Sequence, residues 1–272
     1  MNETNVQALA GREVLVTGGA GFIGGHVVER LLAAKARVRV LDNLSTGTVD
    51  RLPGGADCRF EHASVLEDAA LDRMMTGCDI VIHLAAEVGN LNSLEHPFRD
   101  AETNALGTLA VALAAQRHGV QRLVYASSAA IFGEPQRLPI DEAHPVAPES
   151  YYGVSKLSGE KYLLAVAKVT GLQAAPLRYF NVYGRGQRYN PYANVIPIFV
   201  DRLLRGLPPI VYGDGEQTRD FVHVGDVARA TLLAATSVAH GMPINIGSGH
   251  AISVNTLVAL FLDIIGAPHL KP

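Results

Sequence analysis

The sequence predicts an α/β fold, a doubly wound parallel Rossmann sheet with a smaller C-terminal subdomain. Three observations carry this. Apolar runs of strand length alternate with helical stretches through residues 13–178, a glycine run separates the first strand from the first helix, and an aspartate closes the second strand. The expected boundaries are 1–178 for the larger domain and mostly 179–272 for the smaller subdomain, with about 220–237 returning to the first.

Glu13-Val14-Leu15-Val16 reads as the first strand, and the apolar positions from His26 to Leu32 recur at helical spacing. Between them lies Thr17-Gly18-Gly19-Ala20-Gly21-Phe22-Ile23-Gly24, in which Gly19, Gly21 and Gly24 match G-x-G-x-x-G. Such glycines permit a tight turn, close approach of backbone to phosphate and close helix-to-strand packing. The free amides of the helix start then face the anion. A second strand, Arg37-Val38-Arg39-Val40-Leu41, ends in Asp42. That is about 20 residues past the glycines, where an acid can bind ribose hydroxyls and favour NAD over NADP; alone, the same aspartate could cap a strand end.

Further on, Cys78 to Leu84 reads as a strand leading into Ala85-Ala86, and Asp100 to His118 as a long alanine-rich helix stopped at Gly119. Arg122 to Ala126 is the next strand, presenting Ser127 and Ser128 at its end. A proline-rich loop from Gly133 to Pro148 leads into a helix bearing Tyr152, and Gln173 to Arg178 is a further strand. Ligands of such sheets lie at the carboxyl ends of the strands, where Asp42, Leu84 to Ala86, Ser128 and Tyr179-Phe180-Asn181 fall.

In Tyr152-Gly153-Val154-Ser155-Lys156 a weak acid and a cation share one helix face. Tyrosine titrates near 10 in water, so it serves as a base at neutral pH only when positive charge stabilises the phenolate. Tyr and Lys at this spacing also occur on solvated helices, and the glycine turn upstream is what gives the pair meaning.

Composition bounds the rest. With 272 residues, 48% of them hydrophobic, the chain can bury a large core, and a net charge of −3 gives no reason to expect nucleic acid or a membrane as partner. The first ten residues do not form a secretory signal, and no apolar stretch is long enough to span a bilayer. Cys58 and Cys78 lack metal-ligand spacing and read as reduced core residues of a cytoplasmic protein; no metal site is expected.

With the glycine turn, the serines after a strand, and Tyr152 with Lys156 in this order, the chain resembles the extended short-chain dehydrogenase/reductase family, and within it the nucleotide-sugar 4-epimerases. The resemblance runs from about Glu13 to about Ile265. Its more specific motifs are Leu177-Arg178-Tyr179-Phe180-Asn181-Val182-Tyr183-Gly184 and Gln217-Thr218-Arg219-Asp220-Phe221-Val222-His223-Val224-Gly225-Asp226-Val227. It implies that Gly18, Gly21, Phe22, Ile23, Asp42, Asn43, Leu84, Ala85, Ala86, Asn104, Tyr152, Lys156 and Phe180 contact NAD, with Ser64 and Val65 at the adenine. Asn181, Asn194, Tyr212 and Arg219 would contact the substrate's nucleotide diphosphate, for which Arg219 offers a planar charged fork and Tyr212 a ring for stacking. Arg219 could instead pair with Asp220 or Asp226.

The chemistry that the resemblance implies is inversion at carbon 4 of a UDP-hexose through a transient 4-keto sugar, in a homodimer built from the helices Asp100 to His118 and Tyr152 to Val169. Tyr152 would take the proton of the sugar 4-hydroxyl, Ser128 would hydrogen-bond the same oxygen, and Lys156 with the nicotinamide ring would lower the Tyr152 pKa. Related enzymes that remove water or carbon dioxide carry acids just after that serine or threonine, whereas this chain has Ala129 and Ala130. Glu87, which follows Ala86, remains a possible acid facing the sugar. Two departures stand out. Ser64 replaces the usual aspartate at the adenine amino group, and the chain reads as truncated at Pro272, where similar enzymes continue with an arginine loop over the diphosphate and a residue that senses carbon 2. The identity of the sugar is left open, as is a non-catalytic NAD-binding module.

Overall fold

The computed structural model describes residues 8–190, 192 and 194–270. A seven-stranded sheet runs in the order β3-β2-β1-β4-β5-β6-β9, formed by Glu13–Thr17 (β1), Arg37–Asp42 (β2), Cys58–His62 (β3), Ile80–His83 (β4), Arg122–Ser128 (β5), Gln173–Tyr179 (β6) and Ile244–Ile246 (β9). Every pairing in it is parallel. The order reverses between β1 and β4, so a crevice opens at the carboxyl ends of these two strands.

Both faces are covered, which is why the central strands read as continuous apolar runs. Helices Phe22–Ala33 (α1) and Val224–Thr236 (α8) cover one face, where Val27, Val28, Leu31, Val227 and Leu232 pack on Val14, Val16, Ile82 and Val124. Asp68–Met75 (α2), Gly107–Arg117 (α5) and Tyr151–Thr170 (α6) cover the other, with Leu71, Met74, Val111 and Leu163 against Leu15, Val81 and Leu123.

The helical stretch expected from Asp100 to His118 is assembled differently. Asn90–Glu95 (α3) and Pro97–Ala101 (α4) precede a π-helical turn over Glu102–Leu106, and regular α-helix resumes at Gly107. Wide turns of this kind mark functional sites often enough to be informative. Here the turn carries Asn104, which is fully buried. Strand β5 also runs two residues beyond expectation and includes Ser127 and Ser128.

The smaller subdomain holds a three-stranded sheet, β10-β8-β7, formed by Asn181–Tyr183 (β7), Thr218–His223 (β8) and Ala251–Ser253 (β10). Phe199 of helix Val195–Leu204 (α7) packs with Phe221, Leu257 and Val258, the last two from helix Val254–Ile265 (α9). The chain passes between the two bodies at Phe180, at His223 to Val224 and at 247–250. Asp220 pins these passages together by accepting hydrogen bonds from the backbone of Ser248 (2.8 Å) and Gly249 (2.8 Å). The return to the large sheet therefore extends past the expected residue 237, through β9 at Ile246. Among the described residues, no helix is long and apolar enough to cross a membrane.

Candidate active site

A cleft of about 1450 Å³ lies between the two bodies, at the carboxyl ends of the large sheet. Drug-sized ligands fill pockets of about 300–1,000 Å³, so this volume accommodates a dinucleotide and a second nucleotide side by side.

Gly18 has φ +70° and ends β1 so close to the next strand that a Cβ would stand 2.6 Å from the Ala85 amide nitrogen. A Cβ on Gly24 would fall on the Gly18 carbonyl oxygen. Side chains at either position would fill the cradle or push α1 away, so the backbone that the dinucleotide needs depends on their absence. Asp42 is buried and does two things. Its Oδ2 accepts from the Ala20 amide (2.9 Å) and its Oδ1 from the Leu44 amide (2.8 Å), fixing the turn. Each oxygen keeps a second lone pair for a ribose hydroxyl. The strand-cap role and the ribose role are thus compatible.

Asn43, Ser64, Val65, Leu84, Ala85, Ala86 and Phe180 all line the cleft, as do Gly18, Gly21, Phe22 and Ile23. These groups fit NAD: a glycine cradle, an acidic ribose acceptor and an apolar wall. Ser64 Oγ is engaged locally, accepting from the Leu66 amide at 3.2 Å.

Asn104 lies beneath the cleft lining, with its amide engaged by the protein: Oδ1 accepts from the Glu87 amide (2.9 Å), while Nδ2 reaches the Glu87 carbonyl (2.9 Å), Asp100 Oδ2 (2.7 Å) and Ser155 Oγ (3.1 Å). It clasps the Glu87 loop to α6.

Ser128 ends β5 and its Oγ accepts from the Ala130 amide (3.2 Å), capping the turn Ala129–Ile131 close to the Tyr152 phenol. Burial pushes the Tyr152 phenol up to about 12, the Ser128 hydrogen bond pulls it down, and the Asp100 carboxylate pushes it up. Lys156 is buried one turn on; desolvation pushes it down to about 7, against the pull of Asp100 and Glu160. Without a ligand, burial therefore outweighs the stabilisation of a phenolate that spacing alone suggests. The α6 start reaches this position because residue 153 is glycine: a Cβ there would stand 2.5 Å from the Ala130 carbonyl oxygen.

Beneath the reacting groups runs a buried polar layer that sequence reasoning missed. Burial pushes His83 down to about 3, so it is neutral. Thr17 Oγ1 donates to its Nδ1 (2.7 Å), and its Nε2 donates to Thr108 Oγ1 (3.0 Å), which donates to the Asn104 carbonyl (2.6 Å). Glu160 takes Ser127 Oγ (2.7 Å) and the Arg178 fork (2.8 and 3.1 Å). Only the spacing of Glu160, four residues after Lys156, could have hinted at this.

On the substrate side, Asn181, Asn194 and Arg219 line both the main cleft and an adjoining cavity of about 260 Å³, where Tyr212 stands largely exposed. Among the described residues Arg219 has no acidic partner: Asp220 is occupied by the 248–249 turn and Asp226 pairs with Arg229 at 3.5 Å. Glu87 lines the cleft, but its Oε2 is held by Arg99 (3.1 Å) and Asn92 (3.0 Å).

The sequence profile of the NAD dependent epimerase/dehydratase family matches residues 14–247. The chain is 43% identical to a putative UDP-glucose 4-epimerase of Methanocaldococcus jannaschii, over 93% of this chain and 82% of that protein. Among solved structures, the Thermotoga maritima UDP-glucose 4-epimerase with UDP-glucose is 39% identical, with a TM-score of 0.90 over 94% of this chain and 83% of that one. A Streptomyces venezuelae dTDP-glucose 4,6-dehydratase with NAD bound is 33% identical, with a TM-score of 0.89 over 94% and 82%. The glycine cradle, the Tyr152 and Lys156 pair and these matches make the chain a member of the NAD dependent epimerase/dehydratase family.

Proposed function

We propose that the chain is an NAD-dependent nucleotide-sugar 4-epimerase acting on a UDP-hexose. The observation that carries this reading is that Ser128, Tyr152 and Lys156 line one cleft, together with the two alanines that follow the serine. When bound, NAD supplies the acceptor and donor of hydride and a positive charge beside the phenol. Tyr152 and Ser128 would grip the same sugar hydroxyl, Tyr152 taking its proton and later returning it. Lys156 supports the phenolate form from one turn away. Asn181 and Asn194 orient the nucleotide diphosphate, and Arg219, free of acids, supplies the charge. Ala129 and Ala130 put no acid in the two positions after Ser128, and Glu87 is an acceptor already engaged by Arg99. The 4-keto sugar then has one exit, return of hydride to carbon 4.

Incubation with UDP-glucose, its N-acetylamino counterpart and UDP-glucuronate, with products separated by chromatography, tests the reading. A 4-epimer of at least one is expected, with no deuterium gained at carbon 5 in heavy water. A 4-keto-6-deoxy sugar, or a pentose from UDP-glucuronate, would favour a dehydratase or decarboxylase. Retained NAD with no conversion would favour a binding module.

The working unit in this reading is a homodimer. Leu91, Leu94, Phe98, Leu106, Tyr151 and Val154 are exposed on the helices from 90 to 117 and 151 to 170, an apolar face suited to a second copy. Two free thiols suit the cytoplasm. Light scattering at micromolar protein is expected to give twice the chain mass.

A further inference from the structure

The loop that follows β7 crosses the mouth of the cleft and docks on α1. His26 of α1 bonds the Arg185 carbonyl (2.8 Å), Arg51 donates to the Gly186 carbonyl, and Arg188 approaches Thr48 Oγ1 (3.4 Å). The segment 44–51 is itself packed on the glycine turn. Thr48 donates its amide to the Ala20 carbonyl (3.1 Å), and a Cβ on Gly25, in the first turns of α1, would lie 3.7 Å from Arg51 Cβ. Arg51 and Arg188 thus come from different segments toward the turn that opens α1, and both line the cleft.

The two guanidiniums are near enough for Arg188 to disfavour the charge on Arg51. Among the described residues neither has an acidic partner; each donates to a neutral oxygen instead. The Arg51 guanidinium is held below its ordinary value, first by burial and then by Arg188. A carboxylate between them would remove the repulsion, and the described residues do not provide one. An anion entering the cleft at the start of α1 would.

We propose that Arg51 and Arg188 form a side-chain clamp on a pyrophosphate, that of the bound dinucleotide, opposite the backbone amides of the glycine turn. The inference rests on the cofactor reading of the cleft, and it assigns two residues that the sequence motifs do not contain. Planar forks suit this ligand, because each can bridge two phosphate oxygens. The clamp also couples the cofactor to the loop after β7: the docking contacts hold the loop against the repulsion of the two arginines, and an anion in place adds a common partner that both attract. Dinucleotide release then requires that the loop lift from α1.

The full chain is loaded with NADH, and its release on dilution into excess NAD is followed by fluorescence for the wild type, Arg51→Gln, Arg188→Gln and Arg51→Lys. Release is expected to quicken about tenfold or more in each Gln variant and much less in Arg51→Lys, since a charge-assisted contact is lost or kept. Rising salt is expected to quicken release from the wild type more than from the Gln variants. Affinity for UDP is expected to stay unchanged in all of them, with circular dichroism confirming the fold. Unchanged release would overturn the proposal. So would a loss confined to UDP, which would give the clamp to the substrate's diphosphate instead. Failure of the wild type to hold NADH would count against the cofactor reading itself.

Discussion

The Nζ of Lys156 stands over the face of Tyr125, 4.5 Å from the ring centroid. The ring offers a cation some of what water would, yet burial still pushes Lys156 from its ordinary 10.5 down to about 7. The unfolded chain therefore holds one proton more than the folded chain between these values. Lys156 contributes stability that rises with pH across that window. In denaturant unfolding between pH 7 and 10, the wild type is expected to gain on Lys156→Met as pH rises. A constant difference would contradict the assignment.

Tyr152→Phe removes the proton acceptor and leaves the ring. Conversion of the active UDP-sugar is expected to fall by about 10²–10⁴-fold or more, with bound NAD and melting temperature retained. Turnover near the wild-type rate would end the proposed role.

Gly153→Ala places a methyl 2.5 Å from the Ala130 carbonyl oxygen, with backbone on both sides of the contact. Relief requires a shift of the α6 start, which also carries Tyr152 away from Ser128. A cost of about 1–3 kcal/mol in denaturant unfolding is expected, with activity lost beyond that which destabilisation explains. A variant as stable and active as the wild type would show that the turn at Ala129–Ile131 yields freely.

Asp42→Ala deletes two acceptors for turn amides together with the ribose acceptor. NAD affinity is expected to drop about tenfold or more, and discrimination against NADP to relax. Equilibrium binding of both cofactors checks this; unchanged NAD affinity would place the ribose elsewhere.

Breaking the buried pair of Glu160 and Arg178, whose side chains are 0% and 4% exposed, is expected to be costly. Glu160→Gln leaves a guanidinium without its countercharge, at a cost of about 3–5 kcal/mol. Thermal or denaturant unfolding reads it directly, and a loss under 1 kcal/mol would mean that water reaches the site.

The parallel sheet and the cofactor half of the cleft were legible because their signals are local. Glycines 18, 21 and 24 and Asp42 act within about one βαβ unit, and Tyr152 with Lys156 within one helical turn. The internal bonds of Asn104 were not legible, because its partners Glu87 and Ser155 are far from it in sequence. The His83 layer was invisible for a similar reason: a strand-end histidine reads alike whether it faces water or two threonines. The π-helical turn escaped because alanine-rich sequence favours any helix. Arg51 and Arg188 sit in loops without a motif.

The three chain passages at Phe180, at His223 to Val224 and at 247–250 have a mechanical meaning. A lobe joined by a single linker can swivel in any direction. Here β7 is paired to β8 and Asp220 ties the third passage to the second, so the three form one short ribbon. Three crossings tied in this way favour rocking about that line over swivelling, like a door on a long hinge. The loop after β7 lies on the swinging side and α1 on the frame. Access for a sugar and escape of a dinucleotide are then governed by one angle, and a ligand that spans the gap will latch it.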